Sequence, residues 1–182
     1  YPGNHPTHPK RTIQAAWNTL PTLINENATI HLADGVYRES VDMRGKSVIG
    51  DAIITIVGNS AAPGQVRVCG ADIGSETTDV RQKGFEVIGQ KGLLIRGMRF
   101  DYFTYDGVFL DRYSSVTVED CEFAECYHAL RAFNSYLEAN SVEMWNSKFG
   151  FVAQRAAYAI LYDANIHDMV YSGIDISVSA NV

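Results

Sequence analysis

An eight-residue pattern that keeps returning constrains this chain more than any other feature. VTVEDCEF, Val116 to Phe123, reads apolar, any, apolar, any, turn residue, any, any, apolar. The same template fits IHLADGVY from Ile30, VDMRGKSV from Val41, VRVCGADI from Val66, LLIRGMRF from Leu93, VEMWNSKF from Val142 and AILYDANI from Ala159. Side chains alternate along a strand, so the first and third residues of each match point to one side. The fifth is always Gly, Asp or Asn, residues that tolerate a tight corner. Each match reads as a short strand followed by a bend, and repetition of this kind is weighed before any catalytic motif.

The later matches begin at Leu93, Val116, Val142 and Ala159, intervals of 23, 26 and 17 residues. Such steps suit one turn of a coiled parallel structure. A second strand signal follows the bend in DGVFL from Asp106, HALRA from His128 and SGIDI from Ser172. Gly107, Ala129 and Gly173 take the equivalent small position, with Val108 and Leu110, Leu130 and Ala132, and Ile174 and Ile176 pointing inward. The expected unit is strand, bend, strand, loop. A helix competes poorly here, because apolar residues recur at spacing two and turn residues interrupt them. The exception is TIQAAWNTL: Thr12 can act as N-cap, Ile13, Trp17 and Leu20 share a face, and Pro21 ends the segment. A short helix there is placed to cover the end of a stacked core.

TIQAAWNTL, ATIHLADGVYRESV and the VTVEDCEF-like coils together resemble the right-handed parallel β-helices of the pectin-lyase-like superfamily, in particular those of bacteriophage tail spikes and fibres. The resemblance implies an all-β fold, a single-stranded right-handed parallel β-helix solenoid with a short N-terminal capping helix. That domain spans residues 12–182, behind a flexible arm of residues 1–11. It also implies an extracellular or virion-surface location and a polysaccharide or cell-surface glycan as partner. The strand pattern still runs through Ile174, Ile176 and Val178 with no capping helix after it. The solenoid is therefore expected to continue or to stack on a partner, as a homotrimer or against other virion proteins.

Composition removes other classes. With 15 Lys and Arg against 21 Asp and Glu, the formal charge is −6 and the basic residues are scattered; nucleic acid is a poor partner for such a surface. No apolar run approaches the roughly 20 residues needed to span a bilayer. Cys69, Cys121 and Cys126 are odd in number and lack CxxC spacing, which argues for buried free thiols over disulfides or zinc. His5 and His8 lie among prolines in the arm, and His31 and His167 are isolated, so no metal site is expected.

Stacking the coils converts sequence into neighbours, because equivalent residues lie roughly 4.8 Å apart. Aligning LLIRGMRF, VTVEDCEF, VEMWNSKF and AILYDANI puts Arg96, Glu119, Trp145 and Tyr162 in one outward column. Arg99, Glu122, Lys148 and Asn165 form the other. The acidic cluster then reads as a ladder of alternating charge. The second strand offers the richer face: Asp106 beside His128 and Ser172, Phe109 beside Arg131 and Asp175, and Asp111 beside Phe133 and Ser177. Asp106 with His128 is a candidate acid and base pair with Arg131 as clamp. Tyr102, Tyr105, Tyr113 and Tyr127, with Asp111 and Asp175, are candidate carbohydrate contacts.

Three functions are compatible with this reading. The first is a spike or fibre module acting in glycan or receptor binding and assembly. The second is a secreted polysaccharide lyase or glycoside hydrolase, and the third a purely architectural assembly protein. A hydrolase needs two carboxylates about 5 Å or about 6.5 to 9.5 Å apart, and no aligned pair of acids appears on the second strands. A lyase would bring calcium, held between carboxylates. The chain has no RxPxxR stretch, no HG dipeptide and no DD pair. These absences weigh against an enzyme, and no other cofactor is expected.

Overall fold

The computed structural model describes residues 9–72, 75–79 and 81–177. Three six-stranded parallel sheets run the length of the domain, and the chain visits them in rotation, once per coil. The first sheet stacks Ala28–His31, Ile54–Val57, Leu93–Arg96, Ser115–Glu119, Tyr136–Asn140 and Tyr158–Tyr162. The second stacks Gly35–Tyr37, Val66–Cys69, Arg99–Asp101, Glu122–Ala124, Glu143–Trp145 and Asn165–His167. The third stacks Val41–Met43, Lys83–Ile88, Asp106–Asp111, His128–Phe133, Phe149–Gln154 and Ser172–Ser177. The described residues form a parallel β-helix of six coils.

Each coil carries three strands rather than the expected two, because a strand of three or four residues follows the first bend. The eight-residue template is consequently met on all three sheets. Val41 belongs to the third sheet and Val66 to the second. Ile30 pairs through Ile56 with Ile95, two residues out of the expected register. VEMWNSKF lies on the second sheet, and the true partner of Val116 is Leu137. The strands Ile54–Val57 and Phe149–Gln154 complete the coils that the template skipped.

The corners explain the confusion, since all three make the same demand on the backbone. Gly97, Asp120, Ser141 and Asp163 turn the chain between the first and second sheets at φ of 69°, 49°, 52° and 46°. Tyr102, Glu125, Asn146 and Asp168 do so at the second corner, and Gly89, Arg112, Asn134 and Arg155 at the third, all with positive φ. Left-handed backbone is uncommon outside Gly and Asn or Asp, which is why Gly, Asp or Asn recurs at all three corners, although Ser141, Tyr102, Glu125, Arg112 and Arg155 also adopt it.

Inward residues fill the coil. Phe100 stacks on Phe123 at 5.1 Å and meets Phe85 edge-on at 4.9 Å. The small column entering the third sheet gains Gly84 and Gly150 beside Gly107, Ala129 and Gly173. A Cβ on Gly150 would stand 2.5 Å from the Gly173 carbonyl oxygen. Ile174 and Ile176 extend the inward columns of Phe151 and Ala153, yet they are exposed, because they lie on the last described coil. Val178 and the arm through His8 fall outside the described residues. Cys69, Cys121 and Cys126 are buried thiols, and burial pushes Cys121 up to about 12.

The helix, Ile13–Thr19, covers the other end as expected, with Ile13 and Trp17 buried. Thr12 accepts the Ala15 N–H, and the Glu39 carboxylate accepts those of Ile13 and Gln14. The Gln14 amide bonds both N–H and C=O of Asp42, acting as a rung on the open edge of the third sheet. This satisfies strand edges that would otherwise invite pairing.

Candidate functional site

Register in the third sheet places Lys83, Asp106, His128, Phe149 and Ser172 in one outward column. Glu86, Phe109, Arg131, Val152 and Asp175 form the next. Asp106, on an outward position, is nevertheless fully buried. Its Oδ1 lies 2.8 Å from His128 Nδ1, and its Oδ2 accepts from Arg131 Nη2 at 3.1 Å. A carboxylate in its ionised form can only accept, so the contact makes Nδ1 the donor and leaves Nε2 as the ring nitrogen not bonded to Asp106. Both Asp106 oxygens are thus engaged in orienting His128 and Arg131. His128 Nε2 is the group in this trio suited to accept a proton.

Aromatic rings frame that trio. His128 meets Tyr127 edge-on at 4.7 Å and Phe149 at 5.3 Å. Tyr105, Tyr127, Phe149 and Tyr171 form a continuous file across four coils, with centroids 6.1, 5.8 and 5.4 Å apart. Tyr105 and Tyr171, at the ends, are 48% and 65% exposed. Cations sit on the rings: Lys148 Nζ is 4.7 Å from the Tyr127 centroid, and Phe109 lies between Lys83 at 4.2 Å and the Arg131 guanidinium at 4.6 Å. Lys83 also pairs with Glu86, which Arg44 reaches from the preceding coil at 2.9 Å. Arg131 Nε is buried without a hydrogen-bond partner among the described residues.

Of the residues singled out from sequence, Asp106, His128, Arg131, Tyr105 and Tyr127 come together. Asp111 lies at the far end of its strand, where it accepts the Arg112 N–H, and Tyr113 is exposed beyond the corner. Tyr102 occupies the second corner, and Asp175 stands two coils from Arg131 with Val152 between. Sequence reasoning passed over Phe149, Tyr171, Lys83 and Phe109 as site residues or left them unused. The file had a legible signal: YDG, YHA and YSG each open a third-sheet strand, with KFG between the last two.

The acidic cluster is arranged differently from the expected ladder. Arg99, Glu122, Glu143 and Asn165 are the true column, and Arg96, Glu119, Asn140 and Tyr162 the other; Lys148 and Trp145 belong elsewhere. Glu122 therefore stacks on a like charge. Burial raises its pKa, Arg99 opposes the rise, and Glu143 adds to it. Asp120, Glu122, Glu143 and Asp163 line a groove of about 340 Å³ along the first corner. Among the described residues, no group of three or more His, Cys, Asp or Glu side chains is placed to hold a metal ion. No helix among them is long and apolar enough to cross a membrane.

The family model for the right-handed β-helix region matches residues 26–182. The chain belongs to that family. As a right-handed β-helix it carries its rotation of three sheets in a fixed hand, with outward columns that read straight along the axis. No curated protein sequence matches it.

Proposed function

We propose that this β-helix is the glycan- or receptor-binding module of a surface appendage of the phage spike or fibre kind, working outside the cell or on the virion. The observation that carries the reading is the file Tyr105, Tyr127, Phe149 and Tyr171 beside His128 and Arg131. Aromatic rings give a sugar an apolar face to stack on, while the polar groups beside them fix its orientation. A row repeating with the coil suits a polymer lying along the solenoid axis. Arg131 and Lys148, both held over rings, supply donors at its edge. In this reading the module acts within a homotrimer or against other virion proteins, and Tyr113, Asp111 and Asp175 touch outlying sugars.

A second reading, polysaccharide cleavage, is favoured by one feature: Asp106 holds His128 in the tautomer whose Nε2 can take a proton. Such a lyase would use His128 as base, Asp106 to position it and Arg131 to steady the developing charge. Incubating the chain with acidic and neutral bacterial surface polysaccharides separates the readings. The binding module retains polymer without changing its size or releasing reducing ends. New ends or unsaturated products that vanish in His128→Gln would replace it with an enzyme.

A further inference from the structure

We propose that the outer face of the first sheet holds a second saccharide site, built on Tyr136 and Tyr158 and suited to an uncharged sugar ring. It stands on a different sheet from the file above and does not depend on the reading of that file.

Tyr136 and Tyr158 are register partners on adjacent coils, with ring centroids 5.6 Å apart and planes within 9°. The stack has a free end toward the preceding coil. There the partner of Tyr136 is Ser115, whose hydroxymethyl group cannot cover a ring. Tyr158 lies on the last described strand of the sheet. A ladder that lacks its next rung offers a flat apolar step, and the chair of a pyranose is the right thickness and polarity to occupy one.

Neighbouring columns supply the polar half of the site. Glu138 accepts the Tyr136 hydroxyl at 2.9 Å, fixing the ring and keeping an acceptor oxygen on the face. Thr117 lies beside Glu138 in register, Asn140 beside Glu119 and Tyr162 beside Asn140. These groups offer acceptors for sugar hydroxyls, the pattern of a few placed polar atoms around a stacking surface. Charge selects the class of ligand. Glu119, Asp120 and Glu138 are set against Arg96, which is shared between the first two, so a uronate or sulfated sugar is repelled. A lysine-rich peptide would answer the charge, but its alkyl chain does not fill the ring-sized step at Ser115.

Calorimetric titration of the intact chain with maltohexaose, cellohexaose and laminarihexaose, beside hexagalacturonate and polylysine, tests the site. The expected result is that a neutral hexasaccharide binds, Tyr136→Ala weakens it about tenfold, and Tyr136→Phe preserves it. Tyr136 stands outside the hydrophobic core, so its loss spares the core. Three outcomes overturn the proposal: none of the neutral hexasaccharides binds, the binding survives Tyr136→Ala, or polylysine is the preferred ligand. Loss on Tyr127→Ala alone would assign the sugar to the third sheet and overturn this site while supporting the other.

Discussion

Asp106 and His128 occupy the same outward position on successive coils and are joined by a 2.8 Å hydrogen bond, although the carboxylate has no contact with solvent. Burying a carboxylate is costly unless charged and hydrogen-bonded partners surround it. His128 and Arg131 do so, and the three side chains behave as one unit. Removing a partner from a buried pair leaves an uncompensated charge, whereas removing the carboxylate strands the donors that face it.

Asp106→Ala is therefore expected to cost about 3 kcal/mol or more, read as a fall in the midpoint of urea unfolding. His128→Gln, which can still donate to Asp106, should cost clearly less. Equal and small losses would mean that the trio is not coupled as its geometry implies.

Gly150→Ala tests the packing of the small column. The added methyl would meet the Gly173 carbonyl oxygen at 2.5 Å, a backbone atom that cannot swing aside. A loss of about 1–3 kcal/mol is expected from such overpacking, measured by thermal unfolding. An unchanged melting temperature would show that the coils spread without penalty.

Much of this fold can be read from the chain, and the reason is periodicity. Alternation in segments such as VTVEDCEF and LLIRGMRF reports strands, and Thr12, Ile13, Trp17 and Pro21 mark the helix and its buried face. What alternation does not report is which sheet a strand joins. Ser141 and Asn146 sit at different corners but satisfy the same left-handed demand, so VEMWNSKF looks equivalent to VTVEDCEF while standing one sheet away. The pairing of Asp106 with His128 was unaffected by that slip because the two residues open third-sheet strands of consecutive coils, with no skipped strand between them. That of Glu122 with Lys148 was not, and a like-charge step, Glu122 on Glu143, lay hidden behind an expected ion-pair ladder.

That step carries a pH signature. Burial and then Glu143 raise the pKa of Glu122 against the opposing pull of Arg99. A raised carboxylate pKa means that the folded chain binds the proton more tightly than the unfolded one, so stability falls as pH rises from the ordinary glutamate range through the elevated value. Glu122→Gln should be more stable than the parent at neutral pH, and the two should converge once pH drops below the ordinary range. Unfolding midpoints at a series of pH values check this; a constant difference across the series would remove Glu143 and burial as the cause.

In the proposed reading, the ring file on the third sheet binds a glycan. The decisive measurement is titration of the intact chain with a panel of bacterial surface polysaccharides, beside Tyr127→Ala and Tyr171→Ala. At least one polysaccharide is expected to bind, and each substitution is expected to weaken it about tenfold without altering the unfolding midpoint by more than a few degrees. A panel without a binder, or a bound polysaccharide indifferent to both substitutions, would contradict it.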